Sequence, residues 1–130
     1  MARRFQYAAK FLCTANIPGT SQTTTSLLPG SYQTVVNIHN PNREPASLRI
    51  KIAVAGGPIS KFKRSKLGPD EAAKVDCSAI SDFGIHAIHG VEGFLVIESD
   101  LSLDVIAVYT AGKGEVQSID VEQVRERQLA

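Results

Sequence analysis

The sequence predicts an all-β fold: a single antiparallel β-sandwich, jelly-roll or immunoglobulin-like, of seven or eight strands. Three observations carry this. Apolar and polar residues alternate with period two along most of the chain. Turn signals built on Pro, Gly and Asn recur between the alternating runs. The apolar residues are largely Val, Ile, Ala and Leu, with no Trp and a single Met, which favours strands. At 130 residues the chain can bury a core without staples, so residues 1–130 read as one domain. A hydrophobic share of 43% and a charged share of 21% argue against wholesale disorder.

The elements follow in order. "YAAKFLC" (7–13) reads as a first strand. Residues 14–30 carry two Pro-Gly pairs and a threonine run, and read as a long flexible loop. "SYQTVVNIH" (31–39) is rich in β-branched residues and stops at "NPNREP", where Asn40 can close an Asx turn. In "ASLRIKIAV" (46–54), Leu48, Ile50, Ile52 and Val54 face one way and Arg49 and Lys51 the other. "ISKFKRSKL" (59–67) alternates less cleanly, and its lysines suit an edge strand. "AAKVDC" (72–77) is short. "VEGFLVIES" (91–99) and "LDVIAVYTA" (103–111) are the best strands, and the tight "SDLS" link predicts that they pair as a hairpin. On that reading Val96, Ile97, Val105, Ile106 and Val108 lie at the centre of the fold. "VQSIDVEQV" (116–124) is the last strand, and residues 125–130 form a short tail, either frayed or a single helical turn. No helix is expected.

The segments "YAAKFLC", "VVNIHNPN", "VDC", "GFLVIES", "LDVIAVYTAG" and "SIDVE" together resemble a family of small bacterial proteins known only as uncharacterised. In strand order and length alone, the chain is also similar to the β-sandwich transducer proteins associated with microbial sensory rhodopsins. That resemblance implies an oligomer. None of the transducers' functional residues maps onto a position here.

The net charge is +1, but it is unevenly spread. Residues 43–74 hold eight Lys or Arg against three acids, and residues 82–126 hold nine acids against Lys113 and Arg125. Opposite signs on two parts of one chain can attract within the fold or between copies. No segment has the roughly 18 apolar residues of a membrane span. The N-terminal run is interrupted by Gln6, Tyr7 and Lys10, so no signal peptide is expected. A cytoplasmic location follows, with Cys13 and Cys77 as two small, reduced, buried side chains; a disulfide between them is the alternative.

"DFGIHAIHG" (82–90) is the stretch that most suggests chemistry. Asp82-Phe83-Gly84 matches the magnesium-holding triplet of kinases, but the chain lacks every other kinase motif and the length to hold a kinase. His86 and His89 have a ligand-like spacing, and His39, Cys13, Cys77 and Asp76 could join them around zinc. The rival reading is a connection in which Gly84 and Gly90 supply bends and Ile85 and Ile88 anchor it. "KFKRSK" (61–66) could meet a phosphate backbone, yet a solvated edge strand, or a basic patch meeting the acidic C-terminal strands of a second copy, fits the low net charge better. Glu98, Asp100 and Asp104 gather near one end of the expected hairpin. Cys77 beside Asp76 gains no activation as a nucleophile, because a neighbouring anion raises a thiol pKa.

No catalytic, cofactor-binding or metal site is therefore assigned, and no cofactor. The expected function is a non-catalytic, self-associating structural or adaptor module. Its expected partners are copies of itself and a further protein, with no nucleic acid and no membrane span. The alternative is a small-ligand or metal-binding sensor or transducer domain around His39, His86 and His89. An enzyme of unrecognised type is the third reading.

Overall fold

A computed structural model describes residues 3–16, 27–86 and 90–129. All eight expected strands are present: β1 (Phe5–Asn16), β2 (Gly30–His39), β3 (Ala46–Val54), β4 (Lys63–Leu67), β5 (Ala72–Val75), β6 (Gly90–Ser99), β7 (Asp104–Gly112) and β8 (Val116–Gln123). The frayed or helical tail is corrected by a ninth strand, β9 (Glu126–Gln128), which forms there by pairing with Phe5–Tyr7 of β1. The expectation of no helix is corrected by a 3₁₀ helix over Cys77–Phe83. Asp76 starts it by accepting a hydrogen bond from the Ser78 backbone N–H at 2.9 Å.

The strands form one continuous antiparallel sheet in the order β4-β3-β6-β1-β2-β7-β8, with β5 added on β2. The sheet folds over at β1. That strand pairs with β6 from Phe5↔Ser99 to Thr14↔Gly90, but with β2 only through Thr14, Ala15 and Asn16. One layer of the sandwich is thus β4-β3-β6-β1, and the other is β2, β5, β7 and β8. At the fold-over, Thr34 replaces missing ladder bonds. Its buried hydroxyl accepts from Leu12 N–H and donates to Leu12 C=O, both at 2.9 Å.

The inner faces follow the register. Tyr7, Phe11, Ile50, Ile52, Leu95 and Ile97 from the first layer meet Val36, Ile38, Val105 and Ala107 from the second. Burying one large side chain of this kind stabilises the fold by roughly 1.5–3 kcal/mol. The Tyr7 hydroxyl sits inside this core. It donates to Glu126 Oε1 at 2.6 Å and accepts from Leu103 N–H at 2.7 Å, so one phenol holds both β9 and the link before β7. Burial and the Glu126 bond push its pKa up to about 12.

The expected hairpin of residues 91–99 with 103–111 does not form. β6 lies between β1 and β3, while β7 lies between β2 and β8. The link "DLSL" (100–103) crosses from one layer to the other instead of turning back. Both its ends are anchored in the body: buried Asp100 accepts from Ser47 N–H at 2.8 Å, and buried Leu103 is held by Tyr7. The core assignment is corrected with it. Of the five, Ile97 and Val105 point inward; Val96 is buried but stands outside the core cluster, and Ile106 and Val108 are half-buried on the outer face of β7.

Candidate functional site

The stretch 82–90 divides into two described parts. Asp82 and Phe83 close the 3₁₀ helix, and Gly84 caps it in the left-handed region at φ 73°. Ile85 packs on the core, while His86 is exposed. Ile88 and His89 lie outside the described residues. Gly90 opens β6 at φ 127°, a conformation that suits glycine alone. Both glycines therefore serve the bends that the sequence assigns to them.

The cysteines correct the expectation of reduced thiols. Cys13 near the end of β1 and Cys77 at the start of the 3₁₀ helix form a disulfide, with Cα atoms 5.6 Å apart. Two cysteines 64 residues apart give no sign in sequence of which elements will be neighbours. The bond ties the wall formed by the 3₁₀ helix to the central strand of the sheet.

His39 is held between two carboxylates. Its Nδ1 lies 2.8 Å from Asp104 Oδ2, and its Nε2 lies 2.8 Å from Asp70 Oδ1. Only the imidazolium can donate to both, so these bonds raise its pKa above 6.5. Asp70 reaches the ring from a left-handed turn at φ 60°, and its N–H donates to Asn40 C=O at 2.8 Å. Asn40 itself is fully buried, accepts from Asn42 N–H at 3.0 Å to close the expected Asx turn, and donates to Leu67 C=O. Among the described residues no group of three His, Cys, Asp or Glu side chains could hold a metal ion. Glu98, Asp100 and Asp104 do not converge either. They bind Arg49, Ser47 and His39 respectively.

The two outer faces of the sandwich differ sharply in chemistry. On the β3-β6-β1 side, charges are paired across strands. Arg49 Nη2 lies 2.6 Å from Glu98 Oε1, Gln6 donates to Glu98, and Lys10 Nζ lies 3.0 Å from Glu92 Oε2. Burial pushes Glu98 up, but Arg49 and Gln6 outweigh it and hold the carboxyl below the usual range. Arg49 and Lys51 also flank the Phe62 ring at 4.1 and 4.7 Å.

On the β2-β7-β8 side, the register aligns Gln33, Val35 and Asn37 with Thr110, Val108 and Ile106, and these with Ile119, Val121 and Gln123. None of these nine positions carries a charge. Lys74 lies beside Asn37 at one border, and the His39–Asp104 pair closes that end. Every residue of β8 is exposed, with Ile119 at 64% and Val121 at 62%. Its polar edge faces the other way: Ser118, Asp120 and Glu122 lie across from Ala111, Tyr109 and Ala107. The Glu122 carboxylate accepts from the Tyr109 hydroxyl at 2.9 Å.

The sequence reading missed this face because it assigned Ile106 and Val108 to the core. The available signal was in β8, where Ile119 and Val121 share one parity and Asp120 and Glu122 the other.

A cleft of about 720 Å³ opens between the β3–β4 connection and the end of the 3₁₀ helix. Ile59, Phe62, Phe83 and Ile85 supply its apolar walls, and Lys61, Lys63, Asp82 and His86 its polar ones. Six of the nine residues of the 82–90 stretch therefore line the cleft, and among the described residues no metal-ligating group forms there.

No family model matches the chain, and no curated protein does. Among the described residues no helix is long and apolar enough to cross a membrane. Solved structures do match. The crystal structure of Thermotoga maritima 1070 superposes with a TM-score of 0.61 at 14% identity, covering 95% of this chain and 93% of that one. The Anabaena sensory rhodopsin transducer superposes with a TM-score of 0.56 at 17% identity, covering 82% of this chain and 88% of that one. The resemblance to the transducer in strand order and length holds at the level of the fold: this chain is similar in architecture to both proteins.

Proposed function

We propose that this chain is a non-catalytic, self-associating structural or adaptor module, and that copies meet through the outer face of β2, β7 and β8. The observation that carries the reading is the absence of charge from nine adjoining positions on three paired strands, whose apolar side chains are exposed at Ile119 and Val121 and half-buried at Val35, Ile106 and Val108. Interface centres are depleted in charge because desolvating an unpaired ion is costly. The opposite face, laced with ion pairs, suits permanent solvation.

A second copy is the occupant that this surface fits. A charge-free patch packed on itself brings no like charges together, and a net charge of +1 leaves little repulsion between whole molecules. Burying Ile119 and Val121 would contribute roughly 1.5–3 kcal/mol each, enough to offset much of the cost of association. No other strand pairs with the far edge of β8 among the described residues, so its backbone can add hydrogen bonds at the rim.

Light scattering at micromolar concentration tests this directly. The parent protein is expected to exceed the mass of one chain. Val121→Glu places a charge in the patch at an exposed site, so it should yield a folded monomer. A strictly monomeric parent, or a variant with unchanged mass, would overturn the proposal.

A further inference from the structure

We propose that the cleft beside the 3₁₀ helix binds a small amphipathic monoanion: an apolar or aromatic body carrying one carboxylate or sulfonate. This site shares no residue with the charge-free face and does not depend on self-association.

The cleft's volume of about 720 Å³ lies within the roughly 300–1,000 Å³ of small-molecule sites. Phe83 and Ile85 also pack against the core, but Ile59 and Phe62 stand outside it. Ile59 is 68% exposed where it faces the opening, and the Phe62 ring lies between β3 and the mouth. The charges at the rim decide the ligand's sign. Lys63 Nζ lies 3.8 Å from Asp82 Oδ2, a long contact that offsets one charge. Lys61 has no carboxylate at ion-pair distance among the described residues. The rim therefore keeps an excess of one positive charge. A cation would be repelled. A neutral apolar guest would bury the Lys61 surroundings without compensation. A single anionic group can meet Lys61 while its body covers Ile59 and Phe83.

The wall is also preformed. The 3₁₀ helix is capped by Asp76 at its start and Gly84 at its end, and the Cys13–Cys77 bond fastens it to β1. Across the cleft, the Ser60 hydroxyl accepts from Ile52 N–H at 2.8 Å and donates to Lys61 C=O at 3.0 Å. Little ordering cost remains for a ligand to meet.

Anilinonaphthalene sulfonate has the required shape and charge, and its binding can be followed by calorimetry and fluorescence. One saturable site per chain is expected. Lys61→Glu and Ile59→Glu, both at exposed positions, should each weaken binding at least about tenfold while the variants melt cooperatively. Val121→Glu should bind as the parent does, even if its oligomeric state changes. The neutral probe N-phenylnaphthylamine should bind more weakly than the sulfonate. The proposal fails if there is no saturable binding, if binding is lost only in Val121→Glu, or if the neutral probe binds as tightly.

Discussion

Three glycines separate two kinds of backbone constraint, and alanine at each gives a graded series. A Cβ at Gly84 would meet nothing within 4 Å, but the residue sits at φ 73°. Gly84→Ala therefore costs the left-handed strain alone, about 1–2 kcal/mol, less up to about 1 kcal/mol from a stiffer unfolded chain. At Gly93 the backbone is extended, but a Cβ would lie 2.1 Å from Ala53 O and 2.9 Å from Val54 Cα. Gly93→Ala therefore pushes β6 from β3, an overpacking cost of about 1–3 kcal/mol. Gly90 combines both constraints. Its φ is 127°, and a Cβ would lie 2.0 Å from Cys13 O and 2.6 Å from Thr14 Cα. Neither neighbour can swing aside, because both are backbone atoms of β1 beside the disulfide. Gly90→Ala should then cost about 2–6 kcal/mol, the sum of roughly 1–3 for positive-φ strain and roughly 1–3 for backbone displacement. Urea titrations of the four proteins measure this. The expected order of loss is Gly84, then Gly93, then Gly90. If Gly90→Ala matched the parent within about 0.5 kcal/mol, the close approach of β6 to β1 at the sheet's fold-over would be refuted.

Two further outcomes follow from pairings around the sandwich. The His39 clasp stabilises the fold through a raised folded-state pKa, so its contribution is fully present below the unfolded value of 6.5 and is lost as pH rises through the higher folded value. The stability gap between the parent and His39→Asn in melts should shrink as pH increases, and a gap that stays constant or widens would refute the clasp. Replacing Cys13 and Cys77 together by serine opens a 64-residue loop and should cost about 4 kcal/mol by chain entropy. Reducing agent should bring the parent to the level of that variant, and equal stability of the two without reductant would refute the bond.

Most of the eight expected strands were legible because they are runs of alternating or β-branched sequence between clear punctuators, whereas the three residues of β9 are too few to show a period. "ASLRIKIAV" gave both its extent and its faces, since Arg49 and Lys51 mark the wet side unambiguously. Pairing was less legible. Proximity in sequence favoured a hairpin of β6 with β7, but Asp100 and Leu103 make contacts more than 50 residues away that carry the link across the core. The histidines were legible only as candidates. What decides the state of His39 is Asp70 and Asp104, both distant in sequence: a left-handed turn brings the first, and the β2–β7 ladder sets the second opposite the ring. The cleft was not legible at all, because its walls come from the β3–β4 connection and the 3₁₀ helix, which have no common periodicity.

The misplacement of Ile106 and Val108 has a physical cause that bears on function. Alternation reveals the buried face of a strand only when the other face is polar. In "DVIAVYT" the apolar residues occupy both parities: Val105 and Ala107 on one, Ile106 and Val108 on the other. A strand of this composition is ordinarily one covered on both sides. Within a single chain β7 is covered on one side only, with Ile106 and Val108 continuing into Val35, Ile119 and Val121 across the sheet. The same residues that defeat the periodicity argument are thus the ones a second copy would cover. On the proposed reading, the missing polar parity of β7 is the trace of that contact in the sequence. In β3, by contrast, the second parity holds Arg49 and Lys51, and its outer face is finished with the Arg49–Glu98 ion pair and two ring contacts to Phe62. A face made for water is built that way in this protein, and the β2-β7-β8 face is not.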